Sequence, residues 1–199
     1  MTAMDISTET IQTQLPYYLT QEQKHNLVKA LNEFPKINFY TERYPLDILQ
    51  GDSWTNLDVI SFEDGSRKKI RGIILSNSCD ISLENERDLP PKLIFAPIIK
   101  LNNFAELIKK CGVLPSRISS RLHAIREQKV TTMFYLPKGG NLDDEYVAVL
   151  DDLHTIPLNA FVNDNTRKKL FTLSQAGFYL FLLKLSVHFC RFHENLSRC

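Results

Sequence analysis

The run Arg71-Gly72-Ile73-Ile74-Leu75-Ser76-Asn77-Ser78-Cys79-Asp80-Ile81 places a guanidinium, two hydroxyls, an amide, a thiol and a carboxylate at the end of one short apolar segment. Such a segment reads as a buried strand delivering polar side chains to its mouth. The next apolar segment, residues 92–99, ends in Ala96-Pro97-Ile98-Ile99. If the two strands are neighbours, their ends and the intervening loop frame a pocket. Phosphodiester chemistry without a metal needs a positive group where charge accumulates and a group that handles protons, and Arg71 and Asp80 are the candidates for these catalytic roles. Lys68 and Lys69, beside Arg67, are candidate phosphate contacts, and Asn77 and Cys79 are candidate binding residues at the pocket. Each has a plainer reading. Asn, Ser and Asp end strands by bonding nearby backbone, a free Cys is often a small buried hydrophobe, and a basic cluster is commonly the solvated flank of a hairpin.

Other chemistries find less in the sequence. His188 and His193 are five apart and point in different directions on a helix, and there is no HExxH or paired CxxC arrangement, so no metal site is expected. Gly139-Gly140 lacks the spacing and the terminal Lys-Ser or Lys-Thr of a phosphate loop. A Cys-His pair would need His25, His123 or His154 to approach Cys79 in space. No cofactor is implied.

The elements that must position these residues follow from periodicity and punctuation. Residues 1–14 are polar and Thr-rich, the pattern of a flexible N-terminal arm, and residues 15–199 are expected to form one elaborated domain. Thr20 and Gln23 make a capping box for a helix whose apolar face is Leu27, Ala30, Leu31 and Phe34, before Pro35. Residues 37–40 suit a short strand or an extended connection. Gly51 turns the chain into a strand over residues 54–62, Glu63-Asp64-Gly65-Ser66 is a hairpin signal, and the return strand runs from Arg67 through Leu75. Pro90-Pro91 closes an exposed loop. A helix capped by Asn102 or Asn103 runs through Lys109, and another covers residues 117–128, where Arg117, Arg121, His123 and Arg126 face either water or nucleic acid. Residues 129–136, 146–150 and 156–162 have strand character, the last broken by Pro157. Ser174 caps a long helix over about residues 174–196 with Phe178, Leu182, Leu185, Phe189, Phe192 and Leu196 as its apolar stripe and Lys184, His188, Arg191, Asn195 and Arg198 opposite.

The totals bound the function. The 24 Lys and Arg balance 23 Asp and Glu, so any polyanionic partner needs a local patch. The four cysteines lack metal-ligand spacing, and residues 1–14 carry no basic apolar leader, which together point to a reduced, cytoplasmic setting. The longest strongly apolar run, residues 176–183, is too short to span a bilayer, so no membrane partner is expected.

The order Gly51-Asp52, hairpin, Arg71-Gly72-Ile73-Ile74-Leu75-Ser76-Asn77, and later Phe95-Ala96-Pro97-Ile98-Ile99 resembles the PemK/MazF growth-inhibitor family over about residues 50–100. Members have a Gly-Asp entering an SH3-like barrel, an Arg-Pro before a strand ending in Leu-Ser, and an Ala-Pro-Ile-Thr strand end. The resemblance implies a metal-independent endoribonuclease fold in which the loop Arg, here Arg71, contributes to phosphate binding and catalysis. Two departures bear on cleavage: Gly72 stands where the family has Pro, and Ile99 where it has a Thr or Ser hydroxyl. The run Ser76-Asn77-Ser78-Cys79-Asp80-Ile81 also resembles a less characterised group of bacterial proteins with a Ser-Gln-x-Cys-Asp-Ile motif, whose later segments resemble residues 134–137 and 173–198.

The expected fold is mainly β with helical additions (α+β): a PemK-like barrel, its strands within about residues 50–162, with an N-terminal helix, inserted helices and a long C-terminal helix. The expected function is binding of RNA or another single-stranded nucleic acid, with metal-independent cleavage as an added option. The alternative is a non-enzymatic component of a bacterial conflict or phage-defence system that meets a protein partner through the C-terminal helix.

Overall fold

The computed structural model describes residues 36–61, 63–85 and 87–189. The expected N-terminal arm, the helix expected from Thr20, and residues 190–199, with the expected end of the last helix and with Cys190 and Cys199, lie outside the described residues. The chain forms a mixed α+β fold around an open, curled antiparallel sheet of eight strands, a half-barrel. The strands are β1 (Tyr40–Thr41), β2 (Ser53–Ile60), β3 (Arg67–Ile74), β4 (Lys92–Lys100), β5 (Met133–Leu136), β6 (Tyr146–Val149), β7 (His154–Pro157) and β8 (Lys169–Leu173). Their order is β1-β8-β2-β3-β4-β6-β5, with β7 also on β4. Helices α1 (Leu101–Lys110) and α2 (Pro115–Arg126) are inserted between β4 and β5, α3 (Leu158–Val162) follows β7, and α4 (Gln175–Phe189) follows β8. Among the described residues no helix is long and apolar enough to cross a membrane.

Side chains alternate across the sheet and both faces are covered, which explains the near-continuous apolar runs of β3 and β4. Ile73, Ala96 and Ile98 enter one core with Phe39, Phe134 and Phe181; Ile74, Leu93 and Phe95 enter a second core with Leu57, Ile156 and Phe161. A third cluster, built on Leu101, Ile125 and Tyr135, fastens the α1–α2 pair to β5 and β6. The sheet's two ends meet through side chains: Tyr40 Oη donates to the Pro137 carbonyl at 2.6 Å.

The Gly51-Asp52 pair has a structural task. Gly51 sits at φ +86°, a left-handed conformation open to glycine, and its N–H donates to the Ile74 carbonyl, locking the entry of β2 onto the end of β3. Asp52 is fully buried and pairs with Lys169 of β8 at 2.8 Å; burial pushes its carboxyl pKa up and Lys169 pulls it back. Arg167 is likewise a buried fastener. Its guanidinium donates to the carbonyls of Asn56, Ala160 and Phe161 and to Asp58 at 2.9 Å, tying α3 to β2.

Three elements differ from expectation. Residues 156–162 are not one strand: Pro157 ends β7, and Leu158, whose N–H donates to the Pro91 carbonyl, starts the short helix α3. Strand β8 has no counterpart among the sequence expectations, because its run Leu170-Phe171-Thr172-Leu173 is buried throughout and shows no alternation. In α4 the buried face is Gly177, Leu180, Phe181 and Lys184, so the helix is rotated from its sequence stripe and Lys184 points inward. The reason is the length of lysine. Its stem lies in the core while Nζ donates to the carbonyls of Gln128 and Val130 in the α2–β5 connection.

Burial holds the Lys184 pKa down at about 8, against 10.5 for the free side chain. Folding therefore disfavours its charged form: below pH 8 the fold carries the full penalty, and stability rises as pH climbs from about 8 toward 10.5, where only the unfolded chain still binds the proton. The expected gain is ~2 kcal/mol relative to Lys184→Met, read from denaturant midpoints of both proteins between pH 7.5 and 9.5. Parallel pH profiles for the two would contradict this account of Lys184.

Candidate anion-binding cleft

The site is made by β4 changing partners. It pairs with β3 only through Gly72↔Pro97, Ile73↔Ala96 and Ile74↔Phe95, then continues on β6 through Ile98↔Ala148, Ile99↔Val147 and Lys100↔Tyr146. Pro97 has no N–H to extend a ladder. Residues 67–70 of β3 are therefore paired with β2 alone, and the sheet forks at Arg71. Helix α1 starts directly after Lys100 and forms the opposite wall. Between them lies a cleft of about 630 Å³, lined by Ile70, Arg71, Ile99, Lys100, Asn103 and Tyr146 among others.

Three polar side chains of its lining, Arg71, Lys100 and Tyr146, converge on the carboxylate of Asp143 beside it. Arg71 Nη1 donates to Tyr146 Oη, which donates in turn to Asp143 Oδ1 at 2.8 Å. Lys100 Nζ binds Asp143 Oδ2 at 2.5 Å, and Arg71 Nη1 lies 3.7 Å from Oδ1. The Arg71 guanidinium also sits 5.5 Å from the Tyr146 ring centre. Hydrogen bonds from Lys100 and then Tyr146 lower the Asp143 pKa to about 2. The same Asp143 contact raises Lys100, while Tyr146 is raised mainly by burial and secondly by Asp143. At neutral pH the cluster thus holds two cations, a neutral phenol and a carboxylate. A carboxylate with a pKa of about 2 is a poor general base at pH 7, whereas fixed cations and a phenol around an open cleft suit an oxyanion.

Of the sequence candidates, Arg71 lies in this cleft and Asn77, Cys79 and Asp80 do not. They follow Arg71 by at least six residues, and the four residues of extended chain from Arg71 to Leu75 already span ~13 Å. The Cys79–Ile81 segment is a single 3-10 turn anchored by buried Ile81. Local hydrogen bonds fix the turn: Asn77 Oδ1 accepts from the Cys79 N–H, Ser78 Oγ from the Gln50 N–H, and the Cys79 carbonyl from the Asn85 and Arg87 side chains. Cys79 and Asp80 are exposed, and among the described residues no histidine hydrogen-bonds the Cys79 thiol. Lys68 is exposed on the hairpin flank, while Lys69 is ion-paired to Asp164 at 2.9 Å. No group of three His, Cys, Asp or Glu suited to a metal occurs among the described residues.

Lys100, Asp143 and Tyr146 were not legible as a site. What joins them to Arg71 is the β4–β6 ladder, which brings together residues 46 apart (Lys100↔Tyr146), and no local spacing announces it. The chain matches no protein-family model and no curated protein.

Gly72, beside Arg71, keeps the fork tight. A Cβ there would lie 2.8 Å from Leu57 Cδ1, 2.8 Å from Phe95 Cδ2 and 2.9 Å from the Ala96 carbonyl oxygen. Gly72→Ala is expected to destabilise the fold by ~1–3 kcal/mol in urea denaturation, because the backbone oxygen cannot move aside as a side chain can. An unchanged midpoint would show that β3 and β4 are not packed this closely.

Proposed function

We propose that this chain binds single-stranded RNA through the cleft between β3 and α1, on an SH3-like barrel of the PemK/MazF type. The observation that carries the reading is the convergence of Arg71 and Lys100 on one open cleft at the fork. Exposed Arg67, on the same face of β3 as Arg71, extends the positive flank along the hairpin, and Lys110 stands on the cleft's α1 wall with Glu106, whose carboxylate is paired with Lys109. Arg71 and Ile99, the two positions the family resemblance marks, line the same cleft.

Binding is favoured over cleavage on three grounds. Ile99 brings no hydroxyl, the carboxylate beside Arg71 has too low a pKa to take a proton at pH 7, and Asp80 lies outside the cleft. Tyr146 is buried, so its ring offers no platform for base stacking. Affinity then comes from phosphate contacts and is salt-dependent and tolerant of sequence. The protein-partner reading draws less support, since the described part of α4 buries Leu180, Phe181 and Lys184 within the chain.

Fluorescence anisotropy with a labelled single-stranded oligoribonucleotide, at several salt concentrations, tests the reading. Each phosphate contact on a single strand contributes about −0.7 to the slope of log K against log salt, so Arg71→Ala with Lys100→Ala is expected to flatten the slope by ~1.4 and to weaken binding for all sequences alike, with the RNA left uncut. Affinity indifferent to salt and to the double variant would overturn the proposal.

A further inference from the structure

We infer that Arg71 Nη1, Lys100 Nζ and Tyr146 Oη form a built subsite for one phosphate oxyanion, and that the Asp143 carboxylate holds this subsite in the free protein as a resident competitor. The inference rests on the phosphate-binding reading of the cleft and deepens it. The two cations and the phenol come from three different strands, or the residue ending one, yet all engage the same carboxylate. Asp143 is not part of that rigid frame. Its side chain is 59% exposed, on a loop held at both ends by its neighbours: Leu142 is buried and bonded to the Gly139 carbonyl, and Glu145 is clamped by Arg126 at 2.8 and 2.6 Å. The carboxylate can swing into solvent without disturbing either anchor, leaving its donors facing the cleft.

A second, independent feature points the same way. Helix α1 begins at this floor with Lys100 in the capping position, no side-chain cap and no acid in its first turn. The Leu101 N–H donates to the Glu145 carbonyl, which leaves the first-turn amides of Asn102 and Asn103 and the positive end of the dipole of this ten-residue helix, and Asn103 lines the cleft. A tetrahedral oxyanion has more acceptor positions than the carboxylate, so it can satisfy the displaced donors and reach this helix end as well. Asp143 sets a threshold: only an anion that makes more of these contacts than the carboxylate does displaces it.

The test uses the full chain and inorganic phosphate as probe, titrated at constant ionic strength and pH 7.5 and followed by NMR shifts of the Asn103 amides. If Asp143 occupies the donors about nine-tenths of the time, Asp143→Asn is expected to bind phosphate about tenfold more tightly than the natural chain. Asp143→Ser should do the same with a smaller side chain, and Asp144→Asn, which removes the same charge from the adjacent position, should not. Adding Tyr146→Phe to Asp143→Asn should take most of the gain away. Equal gains from Asp143→Asn and Asp144→Asn would overturn the inference, as would no gain from either Asp143 variant. Oligoribonucleotides with and without a 5′-phosphate then show whether a chain end or an internal linkage supplies the anion, and tightening by Asp143→Asn with either source supports the subsite. Tighter phosphate binding with no RNA binding would keep the subsite and reject the RNA reading; salt-sensitive RNA binding with unchanged phosphate affinity would do the reverse.

Discussion

Pro97 is where the sheet must stop being one ladder. Lacking an N–H, it ends the β3–β4 pairing after three registered residues, and β4 carries its last turn of strand onto β6 instead. The curl of the half-barrel, the exposure of Arg71 at a strand that has lost one neighbour, and the start of α1 at the mouth of the gap all follow from that change of partner. A continuous β3–β4 ladder would place Arg71 on an ordinary sheet surface. The fork makes it one wall of a cleft.

The charged groups divide by burial into two kinds of work. Asp52 with Lys169, the Arg167 guanidinium with three carbonyls, and Lys184 with two carbonyls sit inside the packing and join strands to strands or helices to loops. Removing one partner of the buried Asp52–Lys169 pair costs several kcal/mol because the other charge stays behind unpaired. Arg71, Lys100 and Asp143 are partly exposed, so their mutual attraction is screened and adds little to stability. Groups with little structural duty are free to exchange partners, and it is these that gather at the cleft.

The sequence was most legible where structure is local. The Glu63-Asp64-Gly65-Ser66 turn, the strands on either side of it, the inserted helices and the Ser174 cap, whose Oγ accepts from the Gly177 N–H at 3.1 Å, all rest on short-range chemistry. Legibility failed where long-range packing overrides pattern. Lys184 reads as polar surface until two carbonyls 54 and 56 residues away are brought to its tip, and β8 reads as featureless because it is buried on both faces. The candidate site was half readable for the same reason. Arg71 stands out beside its strand end, but its partners Lys100, Asp143 and Tyr146 arrive through a ladder with no local signature. The polar run after Leu75 stands out by composition, yet Ser76, Asn77 and Ser78 spend their side-chain oxygens on backbone N–H groups.

On the proposed reading a ligand enters the cleft at the fork and leaves the turn after β3 untouched. Side-chain and backbone NMR shifts on adding a short single-stranded oligoribonucleotide to the isotope-labelled protein measure this most directly. The expected result is shifts concentrated on the Arg71 guanidinium and on the amides of Lys100, Asn103 and Asp143, with Asn77, Cys79 and Asp80 unmoved. Shifts centred on residues 77–80 with Arg71 and Lys100 silent would contradict it.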